Sequence, residues 1–309
     1  MNIAYLVVTY KDPQLLLRTV NALEGSGDFF VFVDKKTNIK PYLELFKNYK
    51  NVVFISKRYC VAWGGWTLGK SNLDLLVRAF EDEKKYDRFV LLTGLDYPLF
   101  SNKRIIETFE KNSDVEYVMA YNIAKSPYIS DHHKITKNWF FDFPFKNRFI
   151  TRCYRYFMYR IFTRPFSPNK LQVKLNGKWV DPYFGQTLAA FTREGAELVI
   201  NTYKNDKAFN RRMRRVHAPD ESYWQTIIFN SHLRCKTVEK GNDHICDGHF
   251  GWAPLHYHTY DDYTSVFTDV SDFDTLINSG YMFCRKVLSD KSKELLDKID
   301  EYRSQEDSK

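Results

Sequence analysis

Regular alternation constrains this chain more than any other feature: over roughly its first 120 residues, short apolar runs take turns with amphipathic stretches. Residues 3–9 are an apolar, β-branched run and read as a buried strand. Asp12-Pro13 then opens a helix with Leu16, Leu17, Val20 and Leu23 on one face, ending near Gly25. The same reading gives strands over 29–33, 52–56, 89–93 and 117–121, and helices over 39–49, 67–85 and 103–111. Continuous apolar strands separated by helices make a mostly parallel, Rossmann-like sheet covered on both faces, hence an α/β class. Ligands of such sheets sit at the carboxyl ends of the strands.

The pattern breaks over 123–180. Between Lys134 and Lys170 there are nine basic residues, one acid (Asp142) and twelve aromatics. Arg148, Arg152 and Arg155 fall on one helical face, and Phe149, Cys153, Tyr156 and Phe157 on its neighbour. Two readings stand side by side: an amphipathic helix with a core face and a solvated face, or an element that meets an acceptor or a membrane surface. Alternation resumes with a strand over 184–192 and helices over 194–203 and 219–231. The stretch 232–280 reads mostly as loop with short strands, and 290–309 as a charged terminal helix that frays.

Composition limits the partners. A chain of 309 residues, 44% hydrophobic and without low-complexity tracts, can bury a sizeable core. Its net charge of +8 suits anionic partners: nucleic acid, a phospholipid surface or a phosphate-bearing substrate. Zinc-finger spacing and RNA-binding aromatic signatures are missing, so nucleic acid is set aside. Cys60, Cys153, Cys235, Cys246 and Cys284 are scattered and never spaced CxxC, which fits reduced structural thiols in a cytosol-like compartment. The first residues lack a basic signal-peptide region, and no run reaches about 18 apolar residues, so any membrane contact is made from outside the bilayer.

Three constellations carry chemistry. The strand ends come first: Val33-Asp34-Lys35-Lys36 offers a carboxylate to a base or ribose hydroxyl and a lysine to a phosphate, or is a plain polar strand end. Gly94-Leu95-Asp96-Tyr97-Pro98 places an acid at the mouth of the sheet. Between them, Trp63-Gly64-Gly65-Trp66 reads either as a stacking wall with a backbone cradle or as turn punctuation with core tryptophans. The second is Pro219-Asp220-Glu221, a normal helix start that also aligns Glu221 with Trp224, a general base beside a sugar-stacking ring. The third is Phe283-Cys284-Arg285-Lys286, two cations suited to a pyrophosphate leaving group or to a charged helix end.

In this order, the five motifs resemble the core-2/I-branching β-1,6-N-acetylglucosaminyltransferase family, which includes peptide-O-xylosyltransferases, over about residues 3–288. The resemblance implies a GT-A-type fold, a UDP-sugar donor, inversion at the anomeric carbon and no metal cofactor. It implies Glu221 as base with Asp220 beside it, and Lys286 as the electrophile on the diphosphate. It assigns Val8, Asp34, Arg58, Trp63, Gly64, Asp96, Arg285 and Lys286 to the donor, and Trp224 and Trp252 to the acceptor. The chain then divides as one catalytic domain, 1–309: a nucleotide-sugar half (1–122), the basic aromatic insertion (123–180), an acceptor and catalytic half (181–289) and the terminal helix (290–309). A single acid, Asp96, stands where most GT-A enzymes carry a metal-binding DxD. Asp272-Phe273-Asp274 comes too late for that place, and His244, Cys246, Asp247 and His249 fit no zinc spacing.

Two departures matter. The family's second phosphate-binding cation, an arginine, falls where this chain reads Leu255-His256-Tyr257-His258, and His256 in that place leaves room for a sugar- or nucleotide-binding protein without catalysis. The chain also starts directly at its first strand, without the anchor and stem of the Golgi relatives. That resembles the bacterial, cytoplasmic members, with a glycan or lipid-linked oligosaccharide acceptor and peripheral contact with an anionic membrane.

Overall fold

A computed structural model describes residues 1–143, 147–163, 168–245, 252–258 and 266–307. The alternation becomes β1 (Ile3–Thr9), α1 (Pro13–Ala22), β2 (Asp28–Val33), α2 (Lys40–Leu45), β3 (Val52–Phe54), α3 (Trp66–Phe80), β4 (Arg88–Thr93), β5 (Asp96–Pro98) and α4 (Asn102–Lys111). Then come β6 (Ala120–Asn122), α5 (Ile129–Thr136), α6 (Arg148–Met158), β7 (Val173–Leu175), β8 (Lys178–Val180), β9 (Tyr183–Gly185), β10 (Ala190–Thr192) and α7 (Arg193–Asn205). The remainder is α8 (Lys207–Met213), a 3₁₀ turn at Pro219–Glu221, α9 (Tyr223–Phe229), β11 (His256–Tyr257), α10 (Phe273–Asn278), β12 (Phe283–Arg285) and α11 (Lys293–Asp307).

The main sheet has the order β10-β4-β1-β2-β3. Its inner strands are parallel, with Val8 paired to Thr93 and Thr9 to Val33, while β10 runs antiparallel along β4. Period-two alternation divides each strand between two layers. Leu6, Phe30, Phe32 and Leu91 meet Leu73 and Leu76 of α3 and Val199 of α7. Tyr5, Val7, Phe29 and Val31 meet Leu15 and Leu16 of α1, Ile105 of α4 and Ile299 of α11. Full burial of one such side chain is worth about 1.5–3 kcal/mol, and two buried layers pin the strand register.

Some expectations change. The strand read over 117–121 shortens to β6 and pairs with β9, outside the main sheet. The strand read over 184–192 breaks into β9 and β10, because residues 186–188 turn into a cleft. Gly185 permits the β6–β9 approach: a Cβ there would lie 2.1 Å from the Met119 carbonyl. The helix read over 219–231 is a 3₁₀ turn followed by α9, split at Ser222 (φ −133°). The terminal helix is packed rather than fraying: Leu295, Leu296 and Ile299 are fully buried, and Arg303 donates to the carbonyls of Phe100 and Ala22 at 2.8 Å each. The core-face reading of α6 fails, since Phe149 is 73%, Tyr156 63% and Phe157 58% exposed.

Cys60, Cys153, Cys235 and Cys284 are not in disulfides; Cys246 lies outside the described residues. No helix of the described residues is long and apolar enough to cross a membrane.

Candidate active site

The carboxyl ends of β1, β2 and β4 are stitched together. Gly94 donates its N–H to the Val8 carbonyl at 3.1 Å, and Asp34 donates to the Thr9 carbonyl at 2.9 Å. A Cβ on Gly94 would fall 2.1 Å from Thr9 Oγ1, so this approach requires glycine. Above these ends lies a cleft of about 750 Å³, where Val8, Asp34, Trp63, Asp220, Glu221, Arg285 and Lys286 come together.

On the side of β2, Trp63 is 70% exposed and presents its ring to the cleft. Asp34 is buried and pairs with Lys36 at 3.2 Å. Arg58 does not line the cleft. Its guanidinium donates to the carbonyls of Val33, Asp34 and Thr37 at 2.7–2.9 Å and clamps the loop after β2. Gly64 lies in the left-handed region (φ +72°) and shapes the turn behind Trp63.

The opposite wall is the turn that carries Glu221. Ala218, also left-handed (φ +45°), donates its N–H to the Gly64 carbonyl at 3.1 Å, joining this turn to the tryptophan turn. Gly69 of α3 lets the two elements touch, since a Cβ there would sit 3.3 Å from Asp220 N. Asp220 is buried and accepts a hydrogen bond from Thr187 Oγ1 at 2.5 Å. Glu221 keeps part of its surface open to the cleft. Desolvation pushes both carboxyls above the usual carboxylate range, and the Asp220 charge raises Glu221 further; Lys134 and Arg285 offset only part of this.

The third wall is cationic. Arg285 ends β12 and Lys286 follows it, and Lys11 joins them from the loop after β1. Burial, then the charges of Arg285 and Lys11, hold the Lys286 ammonium below its ordinary pKa, so an anion arriving here relieves a strained positive cluster. Asp96 stands behind this wall, 1% exposed, and does not line the cleft. It accepts from Thr93 N at 2.7 Å and Thr93 Oγ1 at 2.6 Å, with Arg285 Nε 3.4 Å and His256 Nε2 3.3 Å away. Burial works against its charge, but Arg285, His256 and Thr93 outweigh it and hold the carboxyl below the usual range.

Besides Arg58 and Asp96, which do not line the cleft, three further sequence assignments are corrected. Trp224 cannot stack on an acceptor, because it is 1% exposed and packs edge-on against Phe191 in the core. Trp252 lies away from the cleft and stacks on His244 at 4.2 Å beside Tyr121. His256 does not face a phosphate site: it is fully buried between Asp96 and the ring of Phe283, and His258 is the histidine that lines the cleft. Burial lowers the His258 pKa to about 4, so it is neutral near pH 7 and does not replace a cation. Asp272 and Asp274 lie at the start of α10 and away from the cleft; Asp247 and His249 are outside the described residues.

Lys11, Thr187 and His258 line the cleft without having been singled out. The strand end before Lys11 was a usable signal. Nothing local marks Thr187, whose position depends on the break between β9 and β10.

A mixed, mostly parallel sheet flanked by helices, with its cleft at the strand ends, defines a GT-A-type α/β protein. The family model for the Core-2/I-branching enzyme matches residues 3–267, and this chain belongs to that glycosyltransferase family. The match stops before Phe283–Lys286. Xylosyltransferase 2 from Pan troglodytes is 25% identical over 255 residues, 78% of this chain and 26% of the relative. Xylosyltransferase from Ciona intestinalis is 25% identical over 220 residues, 69% of this chain and 23% of the relative. The chain therefore spans about a quarter of the length of these relatives. Among solved structures, 4-diphosphocytidyl-2C-methyl-D-erythritolsynthase from Anaerococcus prevotii overlaps 66% of this chain and 74% of its own at a TM-score of 0.33 and 14% identity, too slight a likeness to bear on the site.

Proposed function

We propose that this chain is an inverting, metal-independent transferase that moves a sugar from a UDP donor to a glycan hydroxyl. One observation carries the reading: a single cleft presents an exposed tryptophan, a carboxylate raised in pKa and a cluster of three cations. Uracil stacks on Trp63, the ribose hydroxyls meet Asp34, and the diphosphate lies along Lys11, Arg285 and Lys286. The ionised Glu221 carboxylate takes the acceptor hydroxyl proton as that oxygen forms its bond to C1. The bond from C1 to the phosphate oxygen breaks, and the cations stabilise the departing UDP. Asp220, held by Thr187, raises the basicity of Glu221.

The resemblance supports N-acetylglucosamine, another hexose or xylose as the sugar, and a bacterial surface polysaccharide or lipid-linked oligosaccharide as acceptor. The test is UDP release from a panel of UDP-sugars with and without EDTA. Turnover should survive EDTA and fall by about 10²-fold or more in Glu221→Gln. Loss in EDTA sinks the metal-free mechanism. UDP binding without turnover by any donor favours a nucleotide-binding protein without catalysis.

A further inference from the structure

The described surface of α6 and the turn after it carries many exposed apolar side chains. Phe149, Ile150, Cys153, Tyr156 and Phe157 form one apolar stripe along α6, every member of it exposed. Ile161 and Phe162 continue exposed apolar surface into the turn at Tyr159–Thr163. Arg152 and Arg160 are exposed beside the stripe, and the Arg160 guanidinium stands 5.4 Å from the Tyr156 ring centre. The segment's one acid, Asp142, is turned inward and accepts from the N–H of Thr67, so it does not dilute this positive charge.

We propose that this face is a docking surface for an anionic lipid bilayer, with α6 lying in the headgroup plane. Charge selects this occupant. A stripe of aromatic and Ile side chains bordered by arginines, without exposed acids of its own, matches an interface with acyl chains below and phosphates beside it. A second copy of the chain seated symmetrically on the stripe would bring like charges together.

The docking has a direction. Arg155 lies 4.6 Å from the Phe141 ring centre, and Phe141 packs edge-on to His217 and against Gly64, which follows Trp63 in the cleft wall. A membrane holding α6 therefore lies close to the cleft mouth, which suits an acceptor tethered to lipid. That last consequence rests on the transferase reading; vesicle binding itself does not.

The experiment is flotation of the full chain with phosphatidylcholine vesicles, with or without phosphatidylglycerol, at low and raised salt. Phosphatidylglycerol should increase binding at least tenfold, and salt should weaken it as screening grows. Phe149→Asp with Phe157→Asp should remove binding while leaving the melting temperature unchanged. Arg152→Glu with Arg160→Glu should cost about fivefold or more per arginine on anionic vesicles. Equal binding to both vesicle types, or no binding to either, overturns the proposal. So does a dimer abolished by the same phenylalanine changes.

Discussion

Two acidic sites near the strand ends, one fully buried and one bordering the cleft, are opposite in charge behaviour. Asp96 is surrounded by Thr93, Arg285 and His256, and its carboxyl stays ionised below the usual range. Asp220 and Glu221 have a hydroxyl from Thr187 and distant cations, and both carboxyls are pushed up. Burial alone therefore does not set the role of an acid here; the partners decide. Asp96 anchors Arg285, and Glu221, the base of the proposed mechanism, has its pKa raised by burial and by Asp220.

The largest expected break is Asp96→Ala. It removes the anion facing a buried histidine and a partly buried arginine, and should destabilise by about 3–5 kcal/mol in urea unfolding. Because its pKa is depressed in the fold, Asp96 contributes stability above its unfolded value of about 3.9, which is lost as pH falls through the folded value. The wild type should thus lose an acid-side stability term that Asp96→Ala lacks.

Glu221→Gln should behave in the reverse way. Its activity loss of about 10²-fold corresponds to about 2.7 kcal/mol, yet the fold should gain. A carboxyl raised in pKa favours the native state below its unfolded value of about 4.3, and that contribution disappears as pH rises through the folded value. The variant should melt about 2 °C or more above the wild type near pH 8 and converge with it near pH 4. Wild-type turnover should rise with pH along an acid limb displaced above the ordinary carboxylate range, and Glu221→Gln should lack that limb.

Smaller effects sharpen the cleft side of the comparison. Lys286→Ala should weaken UDP binding about tenfold by calorimetry, the scale of one charge-assisted contact. Trp63→Ala should cost about 1 kcal/mol or more in the same titration through lost base stacking, with little change in melting temperature, because the ring is largely solvent-exposed.

The parallel sheet and its two layers were legible because β1, β2 and β4 carry unbroken apolar runs whose register follows from burial on both faces. Cleft residues at the ends of those strands were legible for the same reason, since topology fixes where strand ends open. Trp224 was misread because helical spacing beside Glu221 does not say which way α9 faces; packing against Phe191 turns it inward. His256 was misread because sequence could not show that Asp96 reaches it across β5, β12 and β11. The break between β9 and β10 leaves no local signature, as it depends on where Gln225 and Asp220 stand to receive residues 186 and 187.

The packing of α11 has a consequence for biogenesis. Its Leu295, Leu296 and Ile299 complete the layer that covers Tyr5, Phe29 and Val31, whereas α4 on the same side is made far earlier. At about 5–20 residues per second, translation from Lys111 to Lys293 takes roughly 10–40 s. For that interval the nascent chain exposes an incomplete apolar face on the ribosome, so this half of the molecule should depend on holdase chaperones for longer than the opposite face, whose cover of α3, α7 and α9 is made earlier.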